Sequence, residues 1–185
     1  NMVTKSTEAQ KGGSAYFGIG NDGFRKYSVS FSTGLMDNGW AITFMGALNT
    51  GDGYVKGTNY EGWTYFGNIS KVINDHHKLS LTAFGAPQWH NQRSTMHYIE
   101  DYKNSPDGGR FNNGYGYING EAVGSGYGYN YYHKPQVSLN HYWTIDDKST
   151  LTTSLYGSMA TGGGRRARGA MSNWLTIDNL SLIHI

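Results

Sequence analysis

The sequence predicts an all-β protein: an antiparallel up-and-down meander of about seven strands, standing as a wall between lipid and a wet lumen. Three observations predict it. First, residues 24 to 50 alternate. Tyr27, Val29, Phe31, Thr33 and Leu35 share one face, with Ser28, Ser30, Ser32 and Gly34 on the other. After Asp37-Asn38-Gly39 turns the chain, Trp40, Ile42, Phe44, Gly46 and Leu48 resume against Ala41, Thr43, Met45, Ala47 and Asn49. Successive strand side chains point to opposite faces, so this pair has one bulky face and one small, polar face. Second, a sandwich in water puts Lys, Glu and Asp on its outer face, and these two strands carry almost none. Third, connections after strands two, four and six are short, and those after three, five and seven are long. That asymmetry separates periplasmic turns from extracellular loops in outer-membrane barrels.

The elements run in order along the chain. Strand one, 14 to 20, sets Ala15, Phe17 and Ile19 on one face. Asn21-Asp22-Gly23 makes a tight hairpin, because these residues tolerate positive φ. Strands two and three are the alternating pair. Residues 51 to 62 are read as a Gly/Asn/Asp loop. Strand four, 63 to 73, carries Trp63, Tyr65 and Ile69, and Asn74-Asp75-His76-His77 turns the chain. Strand five, 78 to 87, sets Leu79, Leu81 and Ala83 against Ser80 and Thr82. A long irregular segment occupies 88 to 134. Strand six, 135 to 145, sets Val137, Leu139 and Trp143 against Ser138, Asn140 and Thr144. After the turn at Asp146-Asp147-Lys148-Ser149, strand seven, 150 to 160, carries Leu151, Leu155 and Met159. Trp40, Trp63, Trp143 and Tyr54 fall near strand ends, where interfacial aromatic girdles form.

Composition narrows the function classes. Glycine (27) and tyrosine (15) are abundant, and proline (3) is scarce. Charged residues make up 15% and hydrophobic ones 37%, both below ordinary soluble usage. The absence of cysteine excludes disulfide scaffolds and thiolate metal sites. A net charge of +2 is too mild for a nucleic-acid partner. No apolar run reaches helix-spanning length, a test that strands of a barrel escape. Asn1 at the start and the apolar tail 180–185 give the chain the look of a fragment, the tail being read as artefactual. Seven strands with two bare edges are not expected to fold alone as a stable unit.

Asn1-Met2-Val3-Thr4-Lys5 resembles the last plug strand of TonB-dependent outer-membrane receptors, which closes with an I-N-[IV]-[IV]-T-K pattern. Lys11-Gly12-Gly13-Ser14 to Gly20 is similar to the Gly-rich run into their first barrel strand. Thr50 to Tyr54 (TGDGY) and Asn59-Tyr60-Glu61 are similar to their second extracellular excursion, and the turn at Asn74 to Lys78 to the end of the strand after it. The resemblance covers about 1 to 90 by motif and the rest by architecture. It implies a plug end and linker at 1–12 and, at 13–179, the N-terminal part of a 22-stranded transmembrane β-barrel, with most of plug and barrel missing. The implied activity is import of a scarce nutrient: a siderophore, haem, cobalamin, glycan or peptide. The energy would come from the TonB–ExbB–ExbD complex. The implied location is the outer membrane of a Gram-negative bacterium, among lipid and lipopolysaccharide. A surface lipoprotein partner would accompany a SusC-like relative. No catalysis, cofactor or metal is implied. The competing reading is a soluble carbohydrate-binding module with an aromatic sugar-stacking face.

Candidate cargo contacts lie in the long loops: the polar run Gln88 to Arg93, above all Trp89, His90 and Arg93, then Tyr115, Tyr117, Tyr127, Tyr129, Tyr131 and Tyr132. Tyrosine offers a flat amphipathic face and asparagine adds hydrogen bonds. The bland alternatives are a projecting Tyr/Gly hairpin and an interfacial Trp89 with solvated neighbours. His76 and His77 are adjacent, so in a strand they point apart and make a poor metal pair. Arg165, Arg166 and Arg168 read as a lipopolysaccharide contact or a solvated loop. The loop carboxylates Asp52, Glu61, Glu100, Asp101 and Asp107 have nothing in sequence to pair them as acid and base.

Overall fold

A computed structural model describes residues 6–93, 96–112, 114–118, 121–123 and 128–165. The plug-like motif at Asn1 to Lys5, Tyr127, Arg166, Arg168 and the 180–185 tail lie outside the described residues. A 3-10 turn at Ser6–Glu8 precedes β1 (Gly12–Ile19), β2 (Arg25–Leu35), β3 (Trp40–Gly51), β4 (Tyr60–Val72), β5 (His77–Gly85) and β6 (Gln88–His90). The short helix α1 (Ile99–Asn104) and hairpin β7 (Gly116–Ile118) and β8 (Glu121–Val123) come next. β9 (Asn130–His133), β10 (Gln136–Asp146), β11 (Ser149–Ser158) and β12 (Thr161–Gly164) complete the chain.

All pairings are antiparallel, in the order β1-β2-β3-β4-β5-β10-β11. β6 pairs with β4 and β9, and β9 pairs with β12. The ten strands of this sheet therefore make seven ribbons. β5 resumes as β6 after Ala86-Pro87, β9 as β10 after Lys134-Pro135, and β11 as β12 after Met159-Ala160. Proline has no N–H for a ladder, which places the first two interruptions at Pro87 and Pro135; the third falls beside the second. The sheet is open. Strand four begins at Tyr60, not 63, because Gly51↔Tyr60 to Trp40↔Lys71 pair without a slip; the preceding loop shrinks accordingly. The segment expected to be irregular at 88–134 contains three short strands of its own, plus β6 and α1.

The turns are chemically legible. Asp22 (φ 55°) and Gly23 (φ 69°) both have positive φ, the backbone of the tight hairpin turn whose twist matches its flanking strands. β2 bulges between Ser32 and Leu35. There Thr33 Oγ1 accepts from the Ile42 N–H at 2.9 Å, replacing a ladder bond. Gly34 (φ 64°) lies under the N-terminal segment, whose Lys11 nitrogen would stand 3.1 Å from a β-carbon placed there.

The polarity of the sheet is inverted. Its buried side chains are Ser32, Asn68, Ser70, Ser80, Thr82 and Asn140, with Asn68 and Ser80 each 1% exposed. Ala41 is the single buried hydrophobic residue among those described. Asn68 Nδ2 donates to Ser80 Oγ (2.8 Å) and Thr82 Oγ1 (2.7 Å). Ser70 Oγ donates to Asn68 Oδ1 (2.7 Å) and lies 3.0 Å from Ser80 Oγ. Each buried polar atom named here thus has a partner, which offsets its desolvation. The Ser6–Glu8 turn packs over β2, β3 and β4, and Lys78 Nζ lies 3.5 Å from Thr7 Oγ1 on the polar side.

The opposite face is bulky and bare. Phe17, Val29, Phe31, Ile42, Phe44, Ile69, Leu81, Leu139 and Leu155 are all exposed, Phe44 at 49% and Leu155 at 72%. No second layer covers this face among the described residues. Aromatic residues bound it at both ends. At the short-turn end Lys71 Nζ lies 5.2 Å from the Trp40 ring, and His77 stacks on Trp143 at 5.6 Å. Trp63 and Tyr65 stand toward the long-loop end, where Tyr65 Oη lies 2.9 Å from His133 Nε2. No helix among the described residues is long and apolar enough to cross a membrane.

Candidate functional site

The register of β4 decides where the loop-end residues point. Trp63, Tyr65 and Ile69 stand on the apolar side, so Glu61 does too, and Trp63 Nε1 donates to Glu61 Oε1 at 2.9 Å. Glu61 is opposite Trp89, and Trp89 is opposite Tyr131. Directly opposed residues share a face, so Trp89 and Tyr131 belong to the apolar side. Tyr60, His90 and Asn130 form the row on the loop side of this one, and Gly62, Gln88 and Tyr132 the row on the other side; both face the polar side. The predicted contacts are therefore divided between two faces. His90 stands on one, and Trp89, Tyr129 and Tyr131 on the other.

On the apolar side the rings form a cluster. Trp89 stacks with Tyr129 at 6.2 Å, and Tyr129 meets Tyr131 at 5.9 Å. The Arg165 guanidinium lies 5.2 Å from the Tyr129 ring. Beside them is a depression of about 270 Å³, lined by Arg25, Thr50, Asp52, Asn59, Glu61 and Trp89 among others. Asp52 and Glu61, at the two ends of one loop, line one hollow because β3 and β4 are paired. No sequence signal short of the strand register could have shown it.

A second depression, about 230 Å³, opens between β3, β4 and β6. It is lined by Asn49, Tyr60, Thr64 and Gln88 from the polar side and by Glu61, Trp63 and Trp89 from the apolar side, and His90, Asn130 and Tyr132 share the polar face with the first group. His90 Nε2 lies 3.2 Å from Gln92 Oε1. These polar-side groups are amide, hydroxyl and ring. They suit an uncharged or aromatic ligand held by hydrogen bonds and stacking. Tyr60 is the one of these that the sequence did not suggest as a contact; its strand position sets it with Gln88 and Tyr132 at the mouth of the polar face.

Arg93 is turned to a structural task. Its Nη1 donates to the Phe111 carbonyl (2.8 Å), and its guanidinium lies 5.3 Å from the Tyr102 ring. His97, Tyr102 and Phe111 pack edge to face around it, at 5.1 to 6.3 Å. This excursion is fastened to the 52–59 loop. The Lys56 N–H donates to the Arg110 carbonyl (2.9 Å), and Asn112 Nδ2 donates to the Lys56 carbonyl (2.6 Å). Lys56–Asp107 and Arg110–Asp22 ion pairs flank that joint. Tyr115 sits just beyond it, its N–H donating to the Asn112 carbonyl at 3.2 Å. Tyr117 is placed by backbone alone, in β7.

His76 and His77 diverge. His76 Nδ1 donates to the Thr144 carbonyl (2.8 Å), and His77 Nδ1 lies 3.0 Å from His141 Nε2. Among the described residues no three His, Cys, Asp or Glu side chains stand close enough to share an ion. Compared with models of known families, with characterised proteins and with solved structures, the chain matches none.

Proposed function

We propose that this chain is a piece of a TonB-dependent outer-membrane receptor, with the bulky face of the sheet against lipid and the polar face toward a plugged lumen. One observation carries this reading. The exposed face is apolar and uncharged between its two aromatic ends, while the opposite face buries hydroxyls and amides in a hydrogen-bonded network. A protein in water gains by the reverse arrangement. Lipid supplies the missing partner for the first face, and a wet channel suits the second. The Ser6–Glu8 turn crossing the polar side is in keeping with a plug that meets the barrel there. A soluble sugar-binding sandwich would need a second layer over Phe44 and its neighbours.

In this reading a nutrient binds at the loop end and passes along the polar face. The TonB complex drives that passage, and no bond in the cargo is broken. The polar-side mouth at Tyr60, Gln88, His90 and Tyr132 is the first-contact surface. Lipopolysaccharide surrounds the outer rim, and a lipoprotein lid would cap a SusC-like form. The chain has no cysteine, so a single cysteine placed in it reports one site once any cysteine elsewhere in the full-length protein is replaced. Labels at positions 29, 44, 81 and 139 of the full-length protein in bilayers should be quenched by nitroxide lipids. Labels at 28, 30, 80 and 138 should not. Equal quenching of both sets would discard the membrane assignment. Loss of uptake in Tyr60→Ala or Gln88→Ala, with insertion intact, tests the mouth.

A further inference from the structure

We propose that the depression on the apolar side of the loop end is a binding site for a neutral hexose ring, delivered as a free oligosaccharide or as a glycolipid headgroup. The lining divides as such a ring requires. Trp89 supplies an indole plane for the C–H face of the sugar, and Tyr129 stacks on that indole at 6.2 Å, fixing it. Around it stand groups that hydrogen-bond to ring hydroxyls: Arg25 donates, Asp52 and Glu61 accept, and Thr50 and Asn59 do either. Charge selects the ligand further. One guanidinium and two carboxylates line the hollow, so its net charge disfavours phosphate and sulfate, and Arg25 opposes a simple cation. Size agrees: about 270 Å³ is just below the roughly 300–1,000 Å³ of drug-sized pockets, room for a single ring.

The location gives the two sources. Glu61 is two residues beyond Trp63, at the loop end of the apolar face. If that face meets lipid, as in the receptor reading, the hollow lies at the headgroup level and opens sideways to the membrane surface, away from the cargo path. The glycolipid source alone rests on that reading; the free-sugar source does not.

The experiment is calorimetric titration of the full-length protein with a panel of neutral hexose oligosaccharides and their phosphorylated counterparts. It is run in an amphipathic polymer without lipid, and again in nanodiscs with or without a monohexosyl lipid. A neutral sugar should bind, its phosphorylated form about tenfold more weakly. Trp89→Ala should cost roughly tenfold, the scale of a single anchoring aromatic, and Trp89→Tyr should restore most of it. Thr152→Ala, on β11, should leave binding unchanged. Sugar binding in polymer assigns the free source; competition confined to glycolipid nanodiscs assigns the headgroup. No binding in either arm, or binding indifferent to Trp89→Ala in a correctly inserted protein, overturns the proposal. Failure of lipid to quench the bulky face would remove only the glycolipid arm.

Discussion

Replacing Phe44 by arginine tests the medium against the bulky face at its most sensitive point. Trp40 stands opposite Lys71, and Lys71 is eight residues from Trp63 along β4. At about 3.4 Å per residue that is about 27 Å along the strand. A tilt of about 40° reduces it to about 21 Å along the membrane normal, near the roughly 25 Å apolar band of outer-membrane barrels. Phe44 is opposite Gly67, midway between Trp63 and Lys71, and so about 10 Å from either aromatic end. An arginine at the midplane costs about 2–4 kcal/mol, or about 30- to 700-fold in the folded population. Ser30→Arg is the control. It lies on the polar side, where Ser30 Oγ and Ser14 Oγ are 2.8 Å apart and exposed. Losing that solvated bond costs about 1 kcal/mol or less. The assay is urea-dependent folding of the full-length protein into bilayers. If Phe44→Arg is tolerated as well as Ser30→Arg, the face is not in hydrocarbon and the lipid-facing assignment is refuted.

Three further outcomes are expected. Asn68→Leu leaves Ser80 and Thr82 without their amide donor in a buried setting, and should destabilise by about 1–3 kcal/mol in the same assay. Gly34→Ala forces a side chain into the left-handed region, for about 1–2 kcal/mol. Limited proteolysis should then find the segment before β1 more readily cut, because it packs on Gly34. At the β10–β11 turn, the Lys148 N–H (2.8 Å) holds the Asp146 carboxylate in its charged form, with help from Ser149, so its pKa lies below the ordinary value. A lowered folded pKa means stability present above the ordinary carboxylate pKa and lost as pH falls through the folded one. Backbone amides at 146–149 should therefore broaden or shift only at acidic pH, and not in Asp146→Asn.

The seven ribbons were legible because their physics is local. A period of two in Ser/Val/Phe and Thr/Leu stretches names the faces, and Asn, Asp and Gly name the turns. The hidden parts depend on pairing. Tyr60, Glu61 and Gly62 read as loop, since Gly and Glu are weak strand formers. They became strand because twelve β3 residues stand opposite them and their successors. The site was less legible for the same reason. Trp89 and His90 are neighbours in sequence and look like one polar cluster, but the pleat sends them to opposite sides. Arg93 looked ligand-directed, and only the folded loop provides the Phe111 carbonyl and Tyr102 ring that occupy it. His97, Tyr102 and Phe111 carried no periodic signal at all.

The breaks at Ala86-Pro87, Lys134-Pro135 and Met159-Ala160 lie side by side in three neighbouring ribbons. Together they score a crease across the sheet, with a shorter tier of β6, β9 and β12 above it and a longer tier below. At the crease the neighbouring ribbons stay linked through the proline carbonyls, which accept from the Trp63 N–H (2.8 Å, Pro87) and the Met159 N–H (3.4 Å, Pro135). β4 runs unbroken past both tiers, paired with β5 below the crease and β6 above it, so the mouth stays tied to the wall that Asn68 anchors.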